Sequence, residues 1–124
     1  MKVVVTGGRD YEDKSMVRRI LFWLRDQTDL EVFEVAHGCC LTGADQLVQD
    51  WNDKYNEETP VAKYPADWRK LAGPAGPIRN SFMLDDFKPD IVVAFPGGKG
   101  TADCVKKAQA AGITVLSVGR SFPS

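Results

Sequence analysis

Two glycine-rich stretches hold the residues best suited to chemistry. Thr6-Gly7-Gly8-Arg9-Asp10 follows the apolar run Val3-Val4-Val5. Pro96-Gly97-Gly98-Lys99-Gly100-Thr101 follows Ile91 to Phe95 and leads into a helix-like segment, Ala102 to Ala111. Strand, glycine turn and helix, in that order, aim backbone N–H groups at an anion, because a helix start leaves its first N–H groups unpaired and partly positive. Glycines let a phosphate approach backbone that a Cβ would shield. Lys99 adds a cation and Thr101 a hydroxyl. His37-Gly38, Thr42-Gly43-Ala44-Asp45, Trp68 and Arg79-Asn80 complete the set. Trp68 or Tyr11 suits stacking on a base or covering a ribose. Asp10, Asp45 or Asp67 suits the acceptance of sugar hydroxyls. Arg79 is read as the start of a helix, where a cation opposes the dipole and implies an anionic partner.

Plainer roles stay open for each of these. Gly7 and Gly8 also suit a tight turn, and Asp45 a helix start. Trp68 divides between core and site. His37 reads as a structural hydrogen-bonding group, since no serine or cysteine nucleophile stands beside it. Cys39 and Cys40 read as small, partly buried residues. No residue is assigned as catalytic. Neither a G-x-G-x-x-G fingerprint nor a G-x-x-x-x-G-K-[ST] loop occurs, which argues against an ordinary dehydrogenase or P-loop NTPase.

Positioning such loops takes alternating strands and helices. Strands are expected at Val3–Val5, Val32–Ala36, Val61–Tyr64, Ile91–Phe95 and Ile113–Val118. Their apolar, β-branched runs suit parallel strands buried on both faces. Helices are expected from Met16 behind an N-cap at Ser15, from Gly43 to Tyr55, from Arg79 to Phe87 and from Ala102 to Ala111, where Gly112 stops the last. The pattern is α/β: a Rossmann-like three-layer sandwich around a central parallel five-stranded sheet. The unusual residues all follow strands, so they gather at the carboxyl edge, where open parallel sheets bind ligands.

Composition sets the bounds. The 124 residues suit one domain, residues 1–124, and 44% hydrophobic with 27% charged content fits a globular chain. A net charge of −1 makes nucleic acid an improbable partner, and no apolar run has the length of a membrane span. The start, Met1-Lys2-Val3, lacks a signal-peptide layout, and three cysteines without a disulfide pattern point to the cytoplasm. No metal and no cofactor are expected. Phe22, Trp23 and Phe82 exceed what single helix faces need, which points to a homo-oligomer. Arg120 to Ser124 reads as an exposed tail.

Together these residues resemble the SLOG superfamily, the Rossmann-like fold of the Lonely Guy and DNA-processing protein A families, and within it the YspA/YpsA-like branch, also described as the domain of unknown function 2493. The resemblance rests on Val5 to Asp10, His37-Gly38 with Thr42 to Asp45, Pro65-Ala66-Asp67-Trp68, Ala75 to Asn80 with Met83-Leu84, and Pro96 to Ala102. It implies binding of a nucleotide or nucleotide-derived small molecule, as a sensor or sequestering protein, including in conflicts between phages and bacteria. An alternative it implies is an N-glycosidic phosphoribohydrolase acting on nucleoside monophosphates. Lonely Guy enzymes have the pattern Pro-Gly-Gly-x-Gly-Thr-x-x-Glu and an upstream arginine. Arg79 matches the arginine, but Cys104 stands at the glutamate, and a thiol does not replace a carboxylate. Asp103 is adjacent, yet one helical step turns it by roughly 100°. Cys39 sits where relatives often have glycine.

Overall fold

The computed structural model describes residues 1–28, 32–40 and 42–119, so the tail at 120–124 lies outside the described residues. The strands are β1 (Lys2–Thr6), β2 (Glu34–His37), β3 (Ala62–Lys63), β4 (Ile91–Ala94) and β5 (Thr114–Ser117). The helices are α1 (Lys14–Asp26), α2 (Gly43–Tyr55), α3 (Trp68–Leu71), α4 (Ala75–Phe87) and α5 (Lys99–Ala110). All strands pair in parallel in the order β3-β2-β1-β4-β5, a Rossmann-like α/β sheet.

β1 is central, with Val3, Val4 and Val5 at most 1% exposed. Successive side chains of a strand point to opposite faces. Val3 and Val5 accordingly join Val17, Ile20, Leu21 and Val48 of α1 and α2 in one core. Val4 joins Met83, Leu84, Cys104 and Ala108 of α4 and α5 in the other. Three layers result. Strand order reverses between β1 and β4, and such a switch point opens a crevice at the carboxyl ends.

Several elements differ from expectation at their ends. α1 begins at Lys14 because Asp13, not Ser15, caps it; the Asp13 carboxylate accepts from Met16 N–H at 3.0 Å. α4 begins at Ala75, four residues before Arg79, so Arg79 stands in the second turn and the dipole argument for it lapses. α5 begins at Lys99, which places Lys99, Gly100 and Thr101 in a first helical turn. α3, a single turn, was not expected; Asp67 caps it by accepting from Lys70 N–H. Phe22 is not spare apolar surface. Its ring packs edge-on against Trp51 and Tyr55, at 5.3 Å and 4.9 Å between centroids. Trp23 and Phe82 are exposed.

Candidate functional site

The loops after β1 and β4 meet at the switch point. Gly8 N–H donates to Pro96 O at 2.9 Å, and Ala44 N–H, from the first turn of α2, donates to Gly8 O at 3.1 Å. Most of the glycines here permit that contact. A Cβ on Gly7 would come within 2.5 Å of the Ala44 Cβ, and one on Gly97 within 2.7 Å of Gly8 N. Gly43 has φ +73°, and a Cβ there would lie 2.1 Å from Gly8 O. Gly98 and Gly100 differ, since a Cβ on either meets nothing within 4 Å. They face open space.

Beside the meeting loops lies a cavity of about 510 Å³. Its wall takes Thr6 to Arg9 from β1 and its loop, Gly38 and Cys40 from the β2 loop, and Asp45 from α2. Trp68 of α3, Gly76 to Asn80 in part from α4, and Gly98 to Thr101 with Asp103 from α5 complete it. A second hollow of about 400 Å³ adjoins it, sharing Arg9, Gly38, Cys40, Trp68 and Arg79, and adding Thr42. Most sequence-selected residues therefore converge. Asp10, His37, Gly43, Pro96 and Gly97 lie outside both walls. A larger hollow of about 760 Å³, near the carboxyl ends of α1 and α2, holds none of them.

Four helices begin at the cavity, and three of them, α2, α4 and α5, have no side-chain cap on their N–H groups. The fourth, α3, is capped by Asp67, and α1, which starts away from the cavity, by Asp13. Lys99 stands in the first turn of α5, and among the described residues its ammonium makes no hydrogen bond or ion pair.

Arg79 is a strut. Its Nη1 donates to Gly38 O at 2.6 Å and Tyr64 O at 3.3 Å, and its Nε donates to Asn80 Oδ1 at 2.8 Å. Gly38 must be glycine for this, because a Cβ would sit 2.2 Å from Nη1. Asn80, buried, donates through Nδ2 to Gly100 O and to Asp103 Oδ2, at 3.2 Å and 3.0 Å. Asp103 also pairs with Lys107 at 3.0 Å.

His37 is structural. Cys39 N–H donates to its Nδ1 at 3.0 Å, so Nε2 carries the proton and donates to Gln49 Oε1 at 2.7 Å. Asp45 is 6% exposed and accepts Cys40 N–H through Oδ2 at 3.1 Å. Burial, and then the Asp45 carboxylate, push both the Cys39 and Cys40 thiols above their ordinary range. Cys104 is buried beneath Thr6, and burial pushes its thiol up to about 11. A thiol so held is a poor acid or nucleophile at neutral pH. Arg9 lies over the Trp68 ring, 5.9 Å from its centroid, and Trp68 is half-exposed.

A family model for the YAcAr group, described as the YspA, cpYpsA-related SLOG family, matches residues 1–71. Over 95% of its length the chain is also 33% identical to the Gene 61 protein of Mycobacterium phage D29, covering 96% of that protein. The chain belongs to the YspA, cpYpsA-related SLOG family.

Solved structures extend the likeness of this SLOG chain in fold alone. A UDP-N-acetylglucosamine 2-epimerase aligns with a TM-score of 0.62 at 18% identity, over 99% of this chain and 34% of that one. Acinetobacter baumannii MurG aligns at 0.59 and 20% identity, over 94% and 33%. The UDP-GlcNAc 2-epimerase of Neisseria meningitidis aligns at 0.59 and 19% identity, over 98% and 34%. The chain thus spans about a third of each of these proteins.

Within the SLOG fold the residue at the Lonely Guy glutamate position, Cys104, is sealed in the core, whereas Asp103 reaches the cavity wall. The step of roughly 100° from Cys104 is what carries Asp103 to the site rather than away from it, because the cavity wraps the α5 face that bears Gly100 and Asp103. Cys40, Gly73, Gly76, Pro77 and Met83 also line the wall, and sequence reading did not select them as site residues. Gly73, Gly76 and Pro77 had a usable signal in the Gly-Pro-rich loop before α4. Cys40 and Met83 had none. Among the described residues no helix is long and apolar enough to cross a membrane.

Proposed function

We propose that this SLOG protein binds a nucleotide or nucleotide-derived phosphorylated metabolite in the cavity beside the β1 and β4 loops, as a sensor or sequestering protein. One contrast carries the reading. The three long helices that start at the cavity, α2, α4 and α5, carry no side-chain cap. Helix α1, which starts away from it, is closed by Asp13, and only the single turn α3 is capped beside the cavity, by Asp67. Ala44 N–H already donates to Gly8 O and Ala75 N–H to Ala72 O. The start of α5, by contrast, where Gly98 and Gly100 face open space, leaves its first N–H groups for an anion. Lys99 adds a positive charge that has no hydrogen bond or ion pair among the described residues. Trp68, half-exposed beside both hollows, offers a face to a base. Membership of the SLOG family supports a nucleotide-related role, and the Mycobacterium phage D29 relative supports a phage–host setting.

Residues 1–124 act as one binding unit in this reading, working in the cytoplasm as a homo-oligomer. Titration calorimetry with inorganic phosphate and with nucleoside 5′-monophosphates tests it. Nucleotides bind the wild type, phosphate competes, and Gly98→Val abolishes both while the protein stays folded, since Gly98 faces open space. Wild type that binds neither phosphate nor nucleotide refutes the reading.

A second reading, an N-glycosidic phosphoribohydrolase, draws on Asp45 and Asp103, two carboxylates in the cavity wall. Either could act as general acid or base toward a bound nucleoside monophosphate. Chromatographic detection of free base decides between the readings. Base released by wild type and lost in Asp103→Asn or Asp45→Asn makes this an enzyme.

A further inference from the structure

We propose that the cavity selects ribonucleotides over deoxyribonucleotides, with Asp103 and Asp45 receiving the sugar hydroxyls. The inference rests on the phosphate-binding reading above and names what else the ligand must carry.

A wall built for an anion alone would exclude carboxylates, and this wall contains two. An ionised carboxylate only accepts hydrogen bonds, so its partner must donate. Asp45 is nine-tenths buried, its Oδ2 accepts Cys40 N–H, and the Cys40 thiol also hydrogen-bonds its carboxylate. A carboxylate offers about four acceptor sites, so capacity remains for a donor brought by a ligand. Asp103 repeats the arrangement. Asn80 Nδ2 and Lys107 Nζ both bind its Oδ2, at 3.0 Å each, and among the described residues no donor reaches Oδ1. Asn80 also holds Gly100 O, and Lys107 also holds Pro77 O at 2.7 Å. The carboxylate is therefore fixed relative to the first turn of α5 and to α4.

Spacing agrees with a pentose. Gly100 and Asp103 lie three residues apart on one face of α5, about 4.5 Å along the axis. A phosphate at the α5 start leaves the ring hydroxyls of a 5-phosphorylated pentose at about that depth. The base then has Trp68 and the adjoining hollow of about 400 Å³. Base amino groups also donate hydrogen bonds, so the test includes ligands without a base.

The experiment measures affinities by calorimetry for ribose 5-phosphate against 2-deoxyribose 5-phosphate, and for nucleoside 5′-monophosphates against their 2′-deoxy forms. Wild type, Asp103→Asn and Asp45→Asn are compared, with melting temperatures as a check on folding. One charge-assisted hydrogen bond to a partly exposed carboxylate predicts a preference of about tenfold for the ribo form in wild type. Substituting the responsible aspartate brings the ratio to about unity, chiefly by weakening the ribo form. Equal wild-type affinity for ribo and deoxy forms, both displaced by phosphate, overturns this inference and leaves the phosphate reading standing. Absence of all binding overturns both. Undiminished discrimination in both folded variants overturns the assignment to these aspartates. Should a variant not fold, the wild-type ratio still decides.

Discussion

Cys39 and Gly43 share left-handed backbone, at φ +63° and +73°. Cys39 bears that strain without a steric demand for glycine, while Gly43 cannot bear a Cβ, because Gly8 O lies within 2.1 Å of its place. Left-handed geometry costs an L-residue about 1–2 kcal/mol, and glycine costs about 0.5–1 kcal/mol in added chain entropy. Cys39→Gly is therefore expected to leave stability unchanged or raise it by up to about 1 kcal/mol. Gly43→Ala should cost more than about 2 kcal/mol, and urea denaturation separates the two. Cys104 makes a pH prediction. Its folded value of about 11 exceeds the ordinary 9.0, so the folded state holds the proton more tightly. Its contribution is complete below pH 9.0 and is lost as pH rises toward 11. Wild type should lose on the order of 2 kcal/mol more than Cys104→Ala across that window, measured by denaturant titration at each pH. Tyr64, pushed up to about 12 by burial and then Asp86, is common to both proteins and cancels.

Helix α5 shows how an element can trade stability for a site. Gly98 stands at its N-cap position and offers no side-chain acceptor. Serine there would satisfy an N–H group that the proposed phosphate also needs. Gly98→Ser is expected to raise stability by about a few tenths of a kcal/mol. It should also weaken phosphate competition several-fold, and thermal melts with and without phosphate read both effects together. Elements were legible in the sequence where burial dictates residue type, as in Val3–Val5 and Ile91–Ala94, whose apolar runs reflect coverage on both faces. Helix starts were less so. Asp13 and Ser15 are both good caps, and only the observed hydrogen bond chooses Asp13. Pro74 and Ala75 carry no start signal that outweighs the glycines beside them. The grouping of Thr6 to Arg9, Trp68, Asn80 and Gly98 to Thr101 was legible because loops after parallel strands share one edge. Asp103 was not. Periodicity along α5 relates Asp103 to Cys104, but which face meets the cavity depends on how α5 lies against α4.

Across the whole molecule, the spare apolar surface divides between layers. Trp23 on α1 is 52% exposed and Phe82 on α4 is 60% exposed, on opposite sides of the sheet. Ile78 sits one turn from Phe82 on α4 and is also exposed, so the α4 face offers the larger patch. A dimer through α4 is expected. Light scattering should give twice the chain mass for wild type and for Trp23→Lys, and the single chain mass for Phe82→Lys. A single chain mass for wild type at all micromolar concentrations would count against any self-association.

The central position of β1 also orders events in time. Val3 pairs with Val35 on one side and with Ile91 on the other. A ribosome delivers the first of these neighbours long before the second. Through most of synthesis one edge of β1 has no partner, and long-range parallel pairing is slow to close. The glycine loop at Gly7-Gly8 meets its counterpart at Pro96-Gly97 only once nearly the whole chain has emerged. A nascent or truncated chain ending before β4 therefore has half a cavity and an open sheet edge, and ligand added during translation should protect only chains that have passed α5.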